Sequence, residues 1–187
     1  MSVSGAIPAP RVVVGVSGSL GSVAALCRAA GEARLRGAEL WPVLAWEPPG
    51  GELAARRSPA AAVMAGEWQR LARERLVTAL AETFGGDGPG SPMTALVVRG
   101  DPGRALVEIA GRDGVLVVGA GRRGRLCRAL RPSVSRYCLA RAACPVLAVP
   151  PSPLEAELRT AHRRNVLRLR LDLRRVREGV ETVPPGA

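Results

Sequence analysis

The 187-residue chain contains no lysine: all 27 of its basic residues are arginine, set against 16 acidic residues for a formal charge of +11. Histidine occurs once, at His162, so residues 1–150 hold no imidazole from which a Ser/His/Asp set can be built. Aromatic residues make up 3% of the chain and are scattered as Trp41, Trp46, Trp68, Phe84 and Tyr137. That scatter removes the interleaved stacking platform of a single-strand binder, and no nucleic-acid module signature accompanies the charge. The basic excess is read as a solvated surface, with nucleic acid not expected as a partner. Cys27, Cys127, Cys138 and Cys144 form no Cys-x-x-Cys pair, so no metal site is indicated. Cys27 and Cys138 fall at helical positions and are expected to be small buried thiols. No apolar run reaches transmembrane length, and the opening MSVSGAIPAP lacks both a basic start and an apolar segment. A cytoplasmic location is expected.

What the chain does have is alternation of two patterns. Arg11–Val16 is a β-branched run that stops in Ser17-Gly18-Ser19-Leu20-Gly21-Ser22, which suits a buried strand entering a turn. Ser19 or Ser22 is placed to cap the helix that follows, with Val23, Cys27 and Ala30 on one face and Gly37 as its left-handed stop. Glu39–Trp46 reads as a second strand, although Pro42 within it favours an edge or a bulge. Residues 47–61, rich in proline and glycine, read as a long loop. Met64, Trp68, Leu71, Leu80 and Phe84 then recur at helical spacing. Met93–Val98 reads as a third strand. Asp101 and Pro102 cap and start a helix with Leu106, Ile109 and Ala110 inward.

The most informative stretch is Val115–Val149, VLVVGAGRRGRLCRALRPSVSRYCLARAACPVLAV. Val115–Val118 has no polar alternation, as expected of a parallel strand covered on both faces. A glycine-rich basic loop follows to Arg131, then a helical stretch from Pro132, then a last apolar run, Val146–Val149. The pattern over the whole span predicts an α/β fold: a five-stranded, mostly parallel sheet with helices on both faces. Right-handed crossovers put the loops after the first, second and fourth strands at one end of the sheet.

The segment from Gly119 resembles the signature of the universal stress protein family, whose nucleotide-binding members carry Gly, two residues, Gly, nine residues, then Gly and Ser or Thr. Aligned without gaps, Gly119 matches the first glycine, Arg122 stands at the second, Pro132 at the third, and Ser133 supplies the hydroxyl. Val134, Ser135 and the Cys144-Pro145-Val146-Leu147 close also match, and Gly100-Asp101-Pro102 is a further shared feature. The resemblance covers Arg11 to Val149 and implies a Rossmann-like fold with adenine nucleotide, ATP or AMP, as the ligand. The acidic residue that family members often carry after the first strand corresponds to Ser17. The backbone that reads the adenine edge corresponds to Ala45. The site residues it implies are therefore Ser17, Ala45, Gly119, Arg122, Ser133 and Ser135. Homodimers in which the last strand, Val146–Val149, pairs across the axis are also implied.

The departures act in definite ways. Proline at 132 removes an N–H donor and fixes φ, while also suiting the first turn of a helix. Arg122 places a long side chain where backbone approaches phosphate, and adds a cation that pairs with phosphate oxygens; the sign of its effect is open. Seven arginines and no acidic residue lie between Gly114 and Leu154, a balance that attracts anions.

Three readings follow: a non-catalytic, homodimeric stress-response regulator with weak or lost adenine-nucleotide binding; a nucleotide-independent interaction scaffold; and an ATP-using enzyme, from a faint match of Ser17–Ser22 to the ATP-pyrophosphatase loop. Residues 1–10 read as a leader, 11–150 as the domain, and 151–187 as a basic amphipathic helical extension that packs on the domain, contributes to the dimer, or meets an anionic surface.

Overall fold

Val12, Val13 and Val14 are all fully buried, which requires cover on both faces of the strand that carries them. The computed structural model describes residues 10–57, 59–120 and 133–150 and provides that cover. The elements are β1 (Arg11–Gly15), α1 (Leu20–Arg36), β2 (Glu39–Trp46), α2 (Gly51–Arg56), α3 (Pro59–Phe84), β3 (Leu96–Arg99), α4 (Pro102–Ala110), β4 (Val115–Gly119), α5 (Val134–Arg141) and β5 (Val146–Val149). The five strands are parallel in the order β3-β2-β1-β4-β5. This is the α/β architecture expected from the sequence. The amino-terminal leader up to residue 9, the arginine-rich loop 121–132 and the helical extension expected over 151–187 lie outside the described residues.

Side-chain alternation along the strands sorts the core into two layers. Val12, Val14, Leu40, Leu44 and Val117 pack with Ala25, Leu26, Ala29, Ala30 and Ala33 of α1 and Ala72, Leu76 and Ala79 of α3. Val13, Val43, Leu116 and Val118 pack on the other face with Leu106 and Ala110 of α4 and Cys138 of α5. Each fully buried valine or leucine contributes roughly 1.5–3 kcal/mol relative to exposure. The unbroken apolar runs of β1 and β4 are thus the signature of strands at the centre of the sheet.

Local chemistry sets the helix ends. Ser19 caps α1 by accepting from the Ser22 N–H at 3.3 Å. Gly37, at φ 56°, closes the helix, and the Ala38 N–H returns to the Ala33 carbonyl at 2.9 Å. Asp101 accepts from the Arg104 N–H at 2.9 Å at the start of α4, with Pro102 in its first turn.

The structure corrects four expectations. Residues 47–61 are not one loop: Gly50 and Gly51, at φ 81° and 82°, turn the chain into α2, and Pro59 opens α3. Glycine and proline here begin helices rather than break them. Cys27 is exposed, because the inner face of α1 runs through Leu26, Ala29, Ala30 and Ala33, about one residue round from the expected stripe. Met64 and Leu71 are exposed as well, since α3 approaches the sheet through Ala72, Leu76 and Ala79. Small alanines allow the close approach that larger residues prevent. Pro42, finally, sits fully buried in an interior strand. On its β3 side the Leu40 N–H donates to Pro92 O at 2.8 Å and the Thr94 N–H donates to Leu40 O at 3.0 Å. The next donor in that ladder would be residue 42, which has none. Regular pairing with β3 resumes at Val43 and Leu96.

Candidate functional site

Sheet order 3-2-1-4-5 makes the connections leave β1 in one direction and β4 in the other, so a crevice opens outside the carboxyl ends of these strands. Four described segments border it: Ser17–Ser19 after β1, the end of β2 at Ala45 and Trp46, Gly119 closing β4, and Ser133–Ser135 at the start of α5.

Ser17 is exposed, and its Oγ lies 3.0 Å from Ser19 Oγ, so the turn displays two hydroxyls beside Gly18 at φ 73°. The last backbone bond between β1 and β2 runs from the Val16 N–H to Val43 O at 2.8 Å. In the alternation of a parallel ladder the N–H and C=O of Ala45 face the β1 side, past the point where β1 has turned away into Ser17. Among the described residues no backbone bond joins Ala45 to that side. Its peptide groups are therefore available at the crevice.

Gly119 has a packing reason to be glycine. A Cβ there would lie 2.6 Å from the Gly21 carbonyl oxygen and 3.1 Å from the Gly21 carbonyl carbon, because the first turn of α1 crosses directly over the end of β4. The next residue stays in register through Ala120 N–H to Val149 O at 2.7 Å. Ser133 occupies the N-cap position of α5 with extended backbone, yet its side chain makes no capping bond. Its Oγ instead lies 2.7 Å from Ser135 Oγ. The helix thus starts with two linked hydroxyls and first-turn N–H groups that the cap side chain leaves unused, an arrangement that suits phosphate or carboxylate oxygens. Arg122 lies outside the described residues.

The described groups at the crevice are serine hydroxyls and backbone donors and acceptors. Among the described residues no group of His, Cys, Asp and Glu side chains is placed to hold a metal ion. The two buried thiols on the α4/α5 face are poor nucleophiles. Burial, followed by the nearby Asp101 carboxylate, pushes Cys138 up to about 11, and burial raises Cys144 as well.

A cluster beside the crevice was not legible in the sequence. The Arg99 guanidinium lies 5.6 Å from the centre of the Trp46 ring and donates to both carboxylate oxygens of Glu52, from Nε at 2.8 Å and from Nη2 at 3.1 Å. Trp46 in turn meets Trp68 edge-to-face with ring centres 6.4 Å apart. The hydrogen bond from Arg99 holds the Glu52 carboxyl below the usual carboxylate range. Glu52 and Arg99 are 47 residues apart, so no local pattern reports the pair.

A family model described as the universal stress protein family matches residues 9–150. Among solved structures, a universal stress protein from Archaeoglobus fulgidus is 27% identical with a TM-score of 0.52, the match covering 76% of this chain and 99% of that one. A universal stress protein in complex with cAMP is 27% identical at a TM-score of 0.49, covering 77% and 98%. The hypothetical protein MJ0577 shares the fold at 16% identity and a TM-score of 0.59, covering 76% and 96%. No curated protein sequence matches.

Proposed function

The chain belongs to the universal stress protein family, and from that premise we propose that it is a non-catalytic stress-response regulator whose crevice holds an adenine nucleotide, ATP or AMP, weakly. The observation that carries this reading is the parting of β1 and β2 after Val16, which leaves the peptide groups of Ala45 open beside the Ser17 turn. Ala45 then reads the adenine edge through its backbone. Ser133 and Ser135, at the start of α5, receive phosphate oxygens, and Gly119 brings α1 against β4 so that these parts converge. Arg122, at a position that is glycine in the family's nucleotide-binding pattern, supplies a cation to the same phosphates. The region 11–150 is the ligand-binding domain; 1–10 is a leader and 151–187 an extension.

Two copies pair through β5, an edge strand whose outer backbone groups face away from β4. The protein works in the cytoplasm. Among the described residues no helix is long and apolar enough to cross a membrane.

Calorimetric titration of nucleotide-stripped protein with ATP tests the proposal. Saturable binding that is lost in Ser133→Ala, with Arg122→Gly reporting the contribution of the arginine, is the expected outcome. Wild-type protein that binds neither ATP nor AMP would refute it and favour the second reading, a nucleotide-independent scaffold. That alternative draws on Pro132, which removes a donor at a glycine position of the motif.

A further inference from the structure

Helix α2 is held to the rest of the fold in an unusual way. It is six residues long and contributes no buried residue, and its Leu53 is 75% exposed. A helix that short does not persist in water by its own hydrogen bonds. It enters from Gly50 and Gly51, both at positive φ, a junction that only glycine adopts without strain. Among the described residues its side-chain tie to the sheet is Glu52, which in the first turn takes two hydrogen bonds from Arg99. Arg99 ends β3, stands directly opposite Trp46 in the β2–β3 register, and lies over that ring. Trp46 follows Ala45, so the anchoring point adjoins the crevice.

We propose that α2 is a strap tied to the carboxyl end of β3 by the Glu52–Arg99 pair and hinged at Gly50-Gly51, and that unlatching it frees the Arg99 guanidinium, which lies over the Trp46 ring, for another anion. The pair is partly exposed, with side chains 44% and 36% accessible, so the latch is weak enough to open under native conditions. A strap closed by a deep apolar contact would not open without unfolding the core beneath it; this one has no such contact. Released, Arg99 presents a flat cation beside an aromatic face, an arrangement suited to a carboxylate or phosphate carried on a planar group.

Hydrogen exchange on the full chain without added nucleotide tests the latch independently of the nucleotide reading. In Glu52→Gln the amides of residues 51–57 should exchange about 3- to 5-fold faster, with β1 and β4 unchanged. The charge swap Glu52→Arg with Arg99→Glu should restore slow exchange. Wild-type protein in about 1 M salt, where the screening length falls to about 3 Å, should show the same local acceleration without any substitution. Exchange over 51–57 that stays within twofold of wild type in Glu52→Gln, or in wild type at high salt, would overturn the proposal. Acceleration spread equally across the sheet would overturn it too.

Discussion

Replacing Gly119 with alanine adds a single methyl group at a place where backbone already fills the space. The new Cβ would stand 2.6 Å from Gly21 O, and ordinary contact begins near 3.4 Å, so α1 and β4 must separate by about 0.8 Å. The neighbour is main chain at the first turn of a helix and cannot rotate aside. That turn is pinned by the Ser19 cap, and β4 is pinned between β1 and β5. Overpacking of this kind costs about 1–3 kcal/mol, and a backbone obstacle puts Gly119→Ala near the upper end, about 2–3 kcal/mol. For a chain of this length that corresponds to a fall in Tm of roughly 4–12 °C, measured by calorimetry or circular dichroism. Gly15→Ala is the internal control. Its Cβ would meet the end of the Leu106 side chain at 2.9 Å, which can shift, and the loss should be visibly smaller. A Tm for Gly119→Ala within about 1 °C of wild type would refute the argument that packing alone demands glycine there. Confirmation would mean that the first glycine of the motif is required by the fold whether or not nucleotide binds.

Two further outcomes follow from the core. Leu116→Ala, at a fully buried site in β4, should cost about 2–5 kcal/mol in urea unfolding, with the slope unchanged if the native topology persists. The Cys138 thiol, raised from 9.0 to about 11, stays neutral in the folded protein while its unfolded counterpart ionises. Stability from this group is therefore complete below pH 9 and falls as the pH rises towards 11; Cys138→Ala should show a smaller loss over that window than wild type.

The parts legible in the sequence are those whose cause is local. Three consecutive valines in β1 announce burial on both sides, and Ser19, Gly37 and the Asp101-Pro102 pair mark helix ends because capping is settled within four residues. The inner faces of α1 and α3 were harder to place. They are built from alanine, which is equally at home on an exposed helix face, so the larger Cys27, Met64 and Leu71 drew the stripe to the wrong side. Helix α2 was hidden because Gly50, Gly51 and Pro59 punctuate loops and helix starts alike. The positions implied by the family resemblance, Ser17, Ala45, Gly119, Ser133 and Ser135, lie after β1, near the end of β2, at the end of β4 and at the start of α5. The contact of Gly119 with Gly21, and the latch between Glu52 and Arg99, join residues far apart in the chain and leave no periodic trace.

Pro42 interrupts the β2–β3 ladder by one donor. At its level the carbonyl of Thr94 has lost the donor that a regular ladder would supply, so the continuous β2–β3 ladder runs from Val43 onwards. The exposed turn 85–88 lies ahead of this interruption and is the place where the chain tolerates being cut and rejoined elsewhere, or having a foreign domain spliced in, with the least disturbance to the crevice at the opposite end of the strands.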